Sequence, residues 1–351
     1  MSYTKLPGLI DPHVHLRDPG ATQKEDFETG TKAAVAGGIV AILDMPNNPT
    51  PTITKKTVNE KKKLARAKAL CDWGVIFGAC GNSEEFPEIY DGVPALKVYM
   101  DTTTGNLLIE NLFILKQTFK FWQSNKPIIV HAEDSRLATA IGLSAIYNRS
   151  VHIAHISQRS ELELIMDAKQ KGIKVTCEVT PHHLFLTEQD AKRLGPYGLM
   201  KPPLRAKSDV AFLWKHIDAI DCIATDHAPH TKKEKEQKNP PFGVPGLETS
   251  LSLMLTAVYE GRIELEDVVR LMHDGPKTVF GIRLSDFSYV EVDLNSKFEI
   301  RDSNLFTKCG WSPFNGMSVR GRVAGTTIRG TKVYNGKNIL VKPGFGIDLF
   351  G

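Results

Sequence analysis

The chain is poor in cysteine, with five in 351 residues (Cys71, Cys80, Cys177, Cys222 and Cys309), and no two of them form a CxxC pair. An odd count inside apolar runs such as VTCEV and IDCIA argues against a disulfide framework and for a reducing compartment. Long apolar segments are missing as well. The opening MSYTKLPGLID has no signal-peptide core and no window approaches a membrane span, so the cytoplasm is the expected location and no membrane partner is expected. Charge of one sign is scarce. A formal charge of +4 excludes the clustered basic stripe of a nucleic-acid binder, and the densest basic run, 232–238 (KKEKEQK), is interleaved with glutamate and reads as a solvated loop. There is no internal repeat and no low-complexity tract. The first apolar run is followed by HLRDPG, where an open doubly wound sheet would place a glycine-rich phosphate loop.

What is present is alternation. Apolar runs occur at LIDPHVHL (9–16), VAILDMP (40–46), VIFGACG (75–81), ALKVYM (95–100), PIIVHAE (127–133), SVHIAHIS (150–157), KVTCEVTP (174–181) and AIDCIATDHAP (219–229). They are near-continuously apolar, as strands covered on both faces should be. Helical patterns separate them at 24–36, 55–69, 107–123, 135–147 and 158–171, then more brokenly at 188–194 and 207–216, and again over 248–280. Hydrophobic residues at 41% and charged residues at 24% suit a large core. Strict βα alternation through eight strands predicts an α/β fold, a (β/α)₈ TIM barrel over 1–284. From about 285 onward, YVEVDL, VRGRV and GTTIRGTKVYNG predict a small β appendage formed mainly by the C-terminal tail, 285–351.

The strand ends carry the polar residues. His13 and His15 lie two apart and share a face; His131, His155 and Asp226 end later strands, and Lys97 sits between Leu96 and Val98. In such a barrel these positions meet at one end. A lone histidine in an apolar run is more often a satisfied core residue, and His152, of opposite parity to His155, is read so. The set together reads as a site for Zn²⁺ or a similar metal with a position open to water. A buried Lys97 ammonium beside metal cations would lose its proton, and the neutral amine can take up CO₂ to give a bridging carbamate; a lysine snorkelling to the strand ends is the plainer alternative.

The segment PGLIDPHVHLRDPG followed by TQKEDFETGTKAAVAGG resembles the opening of the dihydroorotases of the amidohydrolase superfamily. The likeness continues in order through DMPNNPTP, ALKVYM, IIVHAE, HIAHIS, CEVTPHH, ATDHAPHT, GVPGLET and PGFG. The chain enters almost directly at the first barrel strand, and in this it is similar to the dihydroorotase domain of the multifunctional pyrimidine-synthesis proteins of animals. The resemblance implies reversible cyclisation of N-carbamoyl-L-aspartate to L-dihydroorotate, in pyrimidine biosynthesis, by a zinc-bound hydroxide mechanism. It implies two Zn²⁺ per chain bridged by N6-carboxylated Lys97, with His13 and His15 on one, His131 and His155 on the other, and Asp226 as metal ligand and proton shuttle. Arg17, Asn47 and His230 would bind substrate. The 101–105 loop (DTTTG) is a candidate lid through Thr102, Thr103 and Thr104, or simply a turn. Lys201 in LMKPPLR departs from the Asn or Arg of relatives, and Glu178, His182 and His183 are read as structural. A homodimer and association with aspartate transcarbamoylase are also implied. The alternatives are a hydantoinase or allantoinase, which act on rings lacking the carboxylate, and a non-catalytic scaffold relative, which should have lost metal ligands.

Overall fold

The computed structural model describes residues 3–103 and 105–351. The first strand, β1 (Thr4–Pro7), precedes the expected opening strand β2 (Leu9–Val14). Then follow β3 (Ile39–Asp44), β4 (Asp72–Val75), β5 (Phe77–Gly78), β6 (Leu96–Tyr99), β7 (Ile128–His131), β8 (Val151–Ile153), β9 (Val175–Val179) and β10 (Cys222–Ile223). Each predicted run holds a strand, the third being broken at Ile76 into β4 and β5. The strands form a three-stranded sheet, β2-β3-β4, and a six-stranded sheet, β10-β9-β8-β7-β6-β5, parallel throughout. Where they adjoin, the Ile76 amide reaches Asp44 O at 3.0 Å and the Phe77 amide reaches Ala95 O at 3.3 Å. On the other side Val14 bridges His227 in parallel register, with the His15 amide 2.8 Å from His227 O. The molecule is therefore α/β with parallel sheets in chain order.

Strands are shorter than the apolar runs that announced them. The run 219–229 holds only the two residues of β10, because Thr225 turns aside to donate through its amide (3.1 Å) and hydroxyl (2.5 Å) to the buried carboxylate of Asp11. Helix starts also moved, each to a capping residue. The pattern from 24 begins as a helix at Phe27–Ala36, because Asp26 accepts the Thr29 amide at 2.8 Å. The pattern from 107 begins at Leu112–Phe121, where Asn111 accepts the Phe113 amide at 2.8 Å.

The run KKEKEQK is not a solvated loop throughout. Lys232–Lys235 is a helical turn capped by Thr231, and Lys235 is fully buried. Its ammonium donates to the carbonyls of Leu199 (3.2 Å), Pro241 (2.9 Å) and Gly243 (3.2 Å), a cage that replaces water and that no local charge pattern announces.

The C-terminal strands β11 (Tyr289–Glu299), β12 (Ser318–Ile328) and β13 (Thr331–Tyr334) make an antiparallel sheet of order β1-β11-β12-β13. Its edge strand β1 comes from the other end of the chain, pairing Thr4 with Val292 and Pro7 with Tyr289. The sheet packs on helix Ser250–Tyr259. Contact is so close at Gly321 (φ +78°) that a Cβ there would lie 2.4 Å from a Leu255 methyl carbon. The five cysteines are free thiols. Among the described residues no helix is long and apolar enough to cross a membrane.

One buried ion pair fixes the loop that leaves β2. Asp44 accepts the Leu16 amide at 2.7 Å and pairs with the Lys61 ammonium at 2.6 Å, both side chains buried. Lys61 also donates to Met45 O (2.6 Å) and Asn48 Oδ1 (2.7 Å). Lys61→Met should therefore leave Asp44 charged and unpaired, lowering stability in chemical denaturation by about 3–5 kcal/mol, where an exposed pair would give less than about 1. An unchanged midpoint would mean the pair is not what holds this loop.

Candidate active site

Beyond the carboxyl ends of the parallel strands lies a cavity, open to solvent on one side and lined among others by His13, His15, Lys97, His131, His155 and Asp226. The sequence placed these six together, and the structure brings them together. His13 lies within β2 and His15 one residue past its end; both point inward, ring centroids 5.3 Å apart. Asp226 Oδ1 lies 2.9 Å from His15 Nε2 and 3.4 Å from His13 Nε2. Ligand atoms of this trio fall within 4.8 Å of one another, close enough to share one metal ion. Opposite them, His131 Nδ1 and His155 Nε2 face each other at 2.9 Å.

The strand ends are bent to achieve this. Arg17 (φ +62°), His155 (φ +36°) and Asp226 (φ +45°) are non-glycine residues in the left-handed region. Such backbone costs about 1–3 kcal/mol per residue and persists where the surroundings over-determine it.

Partners fix the imidazole tautomers. A proton on His15 Nδ1 is donated to Asn47 Oδ1 at 2.7 Å and would leave the Nε2 lone pair, 2.9 Å from Asp226 Oδ1, for a metal ion. Glu178 contacts His13 Nδ1 in the same sense. Burial would raise the Glu178 carboxyl, but His13 and His152 hold it well below the usual range. Burial would likewise raise Asp226, and the surrounding imidazoles, His13 first, hold it well below. Lys97 is fully buried with no hydrogen-bond partner for Nζ, and burial lowers it to about 8. His131 Nε2 and His155 Nδ1 are also buried without partners. Neutral imidazoles, a carboxylate and an orphaned amine form a donor set that fits a divalent metal such as zinc.

Arg17 and Asn47 line the same cavity. Arg17 is buried, donates through Nε to Pro229 O at 3.2 Å, and makes no ion pair with any carboxylate of the described residues. His230 stands behind it. Lys24 donates to His230 Nδ1 (3.1 Å), so Nε2 carries the proton and donates to Phe242 O (2.9 Å). Burial and the charges of Arg17, Lys24 and Lys235 lower His230 to about 2. Both ring nitrogens are thus engaged, and the ring's nearest site neighbour is the Arg17 guanidinium at 3.4 Å.

Of the loop residues, Thr103 lines the cavity and the Thr102 carbonyl accepts from Lys201 Nζ at 3.0 Å; Thr104 lies outside the described residues. Lys201 itself lines the cavity, its ammonium 4.9 Å above the Phe242 ring. Sequence reasoning missed Tyr99, the residue two along β6 from Lys97, whose ring borders the cavity and lies 5.1 Å from Lys97 Nζ. Its shared parity with Lys97 was the available signal. His183 is satisfied by Thr180 (2.8 Å) and Pro202 O (3.1 Å), and His152 by Thr176 and Glu178, as structural readings require.

Burial lowers His15 and His183 to about 4 and His131 to about 3, and takes His155 and His182 well below their usual range. In metal-free protein the unfolded chain would take up protons below about 6.5 that the folded chain refuses. This stability is full above that pH and is lost as pH falls toward about 4. Asp11 and Glu248, raised by burial to about 7 and about 8, and Asp72, Glu133 and Glu161, also raised, act in the opposite sense, while Asp226 and Glu178, held low, add to the effect of the imidazoles. Chelator-treated protein should therefore lose stability on acidification from neutrality, by about 1.4 kcal/mol per pH unit for each uncompensated imidazole. A flat pH profile of the thermal midpoint would contradict the buried neutral state.

The amidohydrolase family profile matches residues 4–339. The multifunctional protein CAD of Squalus acanthias is 44% identical over 98% of this chain, which spans 16% of that protein's length. The dihydroorotase of Pyrococcus furiosus is 38% identical over 96% of this chain and 83% of its own. Among solved structures, the L-hydantoinase of Arthrobacter aurescens superposes with a TM-score of 0.94 at 29% identity, covering 98% of this chain and 88% of that one. The inactive dihydroorotase-like domain of a Chaetomium thermophilum CAD-like protein gives 0.85 at 25% identity, covering 99% and 100%. A profile matched over nearly the whole length, on a cavity built from imidazoles and one aspartate, places the chain in the amidohydrolase family.

Proposed function

We propose that the chain is a zinc-dependent dihydroorotase, interconverting N-carbamoyl-L-aspartate and L-dihydroorotate in pyrimidine biosynthesis. One observation carries the reading beyond the family. A buried guanidinium without a carboxylate partner, Arg17, shares its cavity with the imidazole and aspartate set. Left unpaired it is costly; a substrate carboxylate would pair with its planar fork.

His13, His15 and Asp226 would hold one zinc, His131 and His155 a second, with Lys97 as a carbamate between them; Nζ is buried, unpartnered and lowered to about 8. Bound there, the metals would supply Lewis acidity toward the ring amide carbonyl and make water acidic enough to attack near neutral pH. Asp226, ionised in its ring of imidazoles, takes the proton from the attacking water and delivers it to the ring nitrogen as the C–N bond breaks. In the reverse direction it removes that proton and water leaves. Arg17 and Asn47 orient the substrate, and His230, held neutral, adds no charge beside the Arg17 guanidinium. Thr103 and Lys201 would close the cavity on the solvent side, the lid reading of the 101–105 loop.

The remaining readings are proposals of the same kind. The two parallel sheets close as one eight-stranded barrel, supported by the links at Ile76 and between Val14 and His227. The barrel spans 1–284 and the β unit 285–351, to which β1 lends an edge. A cytoplasmic homodimer that associates with aspartate transcarbamoylase fits relatives that are both single-function enzymes and multifunctional proteins. The hydantoinase alternative draws on the TM-score of 0.94, and it leaves Arg17 without a carboxylate partner. A scaffold role would not need all six metal-site residues, which this chain retains.

Ring closure and opening should be assayed on carbamoyl aspartate and dihydroorotate, beside hydantoin and allantoin, with metal counted in the same preparation. Turnover on the first pair with about two zinc per chain is expected. Turnover on hydantoin alone would overturn the substrate, and metal-free active protein would overturn the mechanism. Asp226→Asn should retain metal while kcat falls about 10²–10⁴-fold, and Lys97→Ala should lose both; a Lys97→Ala protein with full metal content would rule out the carbamate bridge.

A further inference from the structure

Behind the cavity a line of polar side chains crosses the apolar interior without touching the space where substrate would bind. Thr176 on β9 sets Oγ1 2.8 Å from His152 Nδ1. His152 on β8 sets Nε2 3.2 Å from Glu178 Oε2. Glu178 Oε1 in turn contacts His13 Nδ1 and also accepts the backbone N–H of His155 at 3.3 Å. His152 and Glu178 are fully buried. The far end, Thr176, borders a separate cavity beside Ser150 and Lys174, at the amino ends of the strands.

With neutral imidazoles, the protons along this line have one arrangement. A carboxylate flanked by three N–H groups only accepts, so both imidazole nitrogens facing Glu178 carry protons. Neutral His152 then has its lone pair on Nδ1, and the Thr176 hydroxyl donates to it. His13, protonated on Nδ1, has its lone pair on Nε2, the nitrogen facing Asp226. One carboxylate therefore sets the tautomer of a residue on β2 and holds the bent backbone of His155 beyond β8, on opposite sides of the site.

We propose that Thr176, His152 and Glu178 form a positioning relay that fixes the His13 tautomer and ring angle and couples them to His155. Metal affinity depends on this relay, and substrate contact does not. His152 is then more than a satisfied core histidine: its second nitrogen keeps Glu178 from turning away from His13. The inference rests on the metal-dependent reading of the site and is independent of which ring is hydrolysed.

The test is zinc competition against a chromophoric chelator, using the holoenzyme and its variants, with kcat and KM measured alongside. Glu178→Gln puts an amide donor against a histidine that already donates, and His152→Phe removes the support for Oε2 at similar volume. Each should weaken zinc binding about 10–100-fold while KM stays within about twofold of the parent. Thr176→Val should weaken it less, and Thr176→Ser should restore it. Where His152→Phe does not fold, the Thr176 pair decides. Zinc affinities of Glu178→Gln and Thr176→Val within about twofold of the parent would overturn the relay, as would a lowered thermal midpoint with unchanged affinity. A parent that binds zinc but is inert on dihydroorotate would remove the proposed substrate and leave the competition result to decide the relay by itself.

Discussion

The structure turns on keeping reactive nitrogens unpartnered in an interior that excludes water. Lys97 Nζ, His131 Nε2 and His155 Nδ1 are buried without hydrogen-bond partners in the midst of Val, Ile and Leu. Each such group costs about 1–3 kcal/mol when left unsatisfied. The surroundings offset this by satisfying the buried carboxylates nearby. Asp11 takes three donors, Asp44 a backbone amide and an ammonium, and Glu178 two imidazoles and an amide. These carboxylates are engaged with their own donors, so the nitrogens within the site stay available.

The same constraint shapes the backbone. Parallel strands satisfy their own amides and carbonyls, and side chains reach the site only where the ladders end. There the chain turns sharply, with Arg17, His155 and Asp226 at positive φ. The turns are held by groups that do not line the cavity themselves: Lys61 on Asp44, Thr225 on Asp11, and the caged Lys235 beneath the segment that carries His230. Strain at the site and rigidity around it are two sides of one arrangement.

Much of this was legible in the sequence because it is periodic and local. Eight apolar runs located the eight strand positions, and the two-residue spacing of His13 and His15 put both on the inner face. The six residues that meet in the cavity followed from residue type at strand ends. Less was legible wherever a distant partner decided. Thr4–Pro7 carries no strand signal of its own and becomes a strand because Tyr289–Val292 offers it an edge. Lys235 reads as solvated in a KKEKEQK string, and only carbonyls from Leu199 to Gly243 make its burial tolerable. Glu178 was read as structural, and its contact with His13 gives it a part in the site.

The sequence by itself determined which side chains face inward, since strand parity is set by neighbours one and two residues away. It also determined the chemical type of the cavity's inner end: imidazoles, one aspartate, the buried Lys97 and one arginine. Tertiary structure decided which nitrogens keep a free lone pair. That choice depends on hydrogen-bond partners such as Glu178 for His13, 165 residues away, and Asn47 for His15, 32 residues away. A proton on one imidazole nitrogen rather than the other is set by what lies within about 3 Å in space, and no periodicity in the chain encodes that distance.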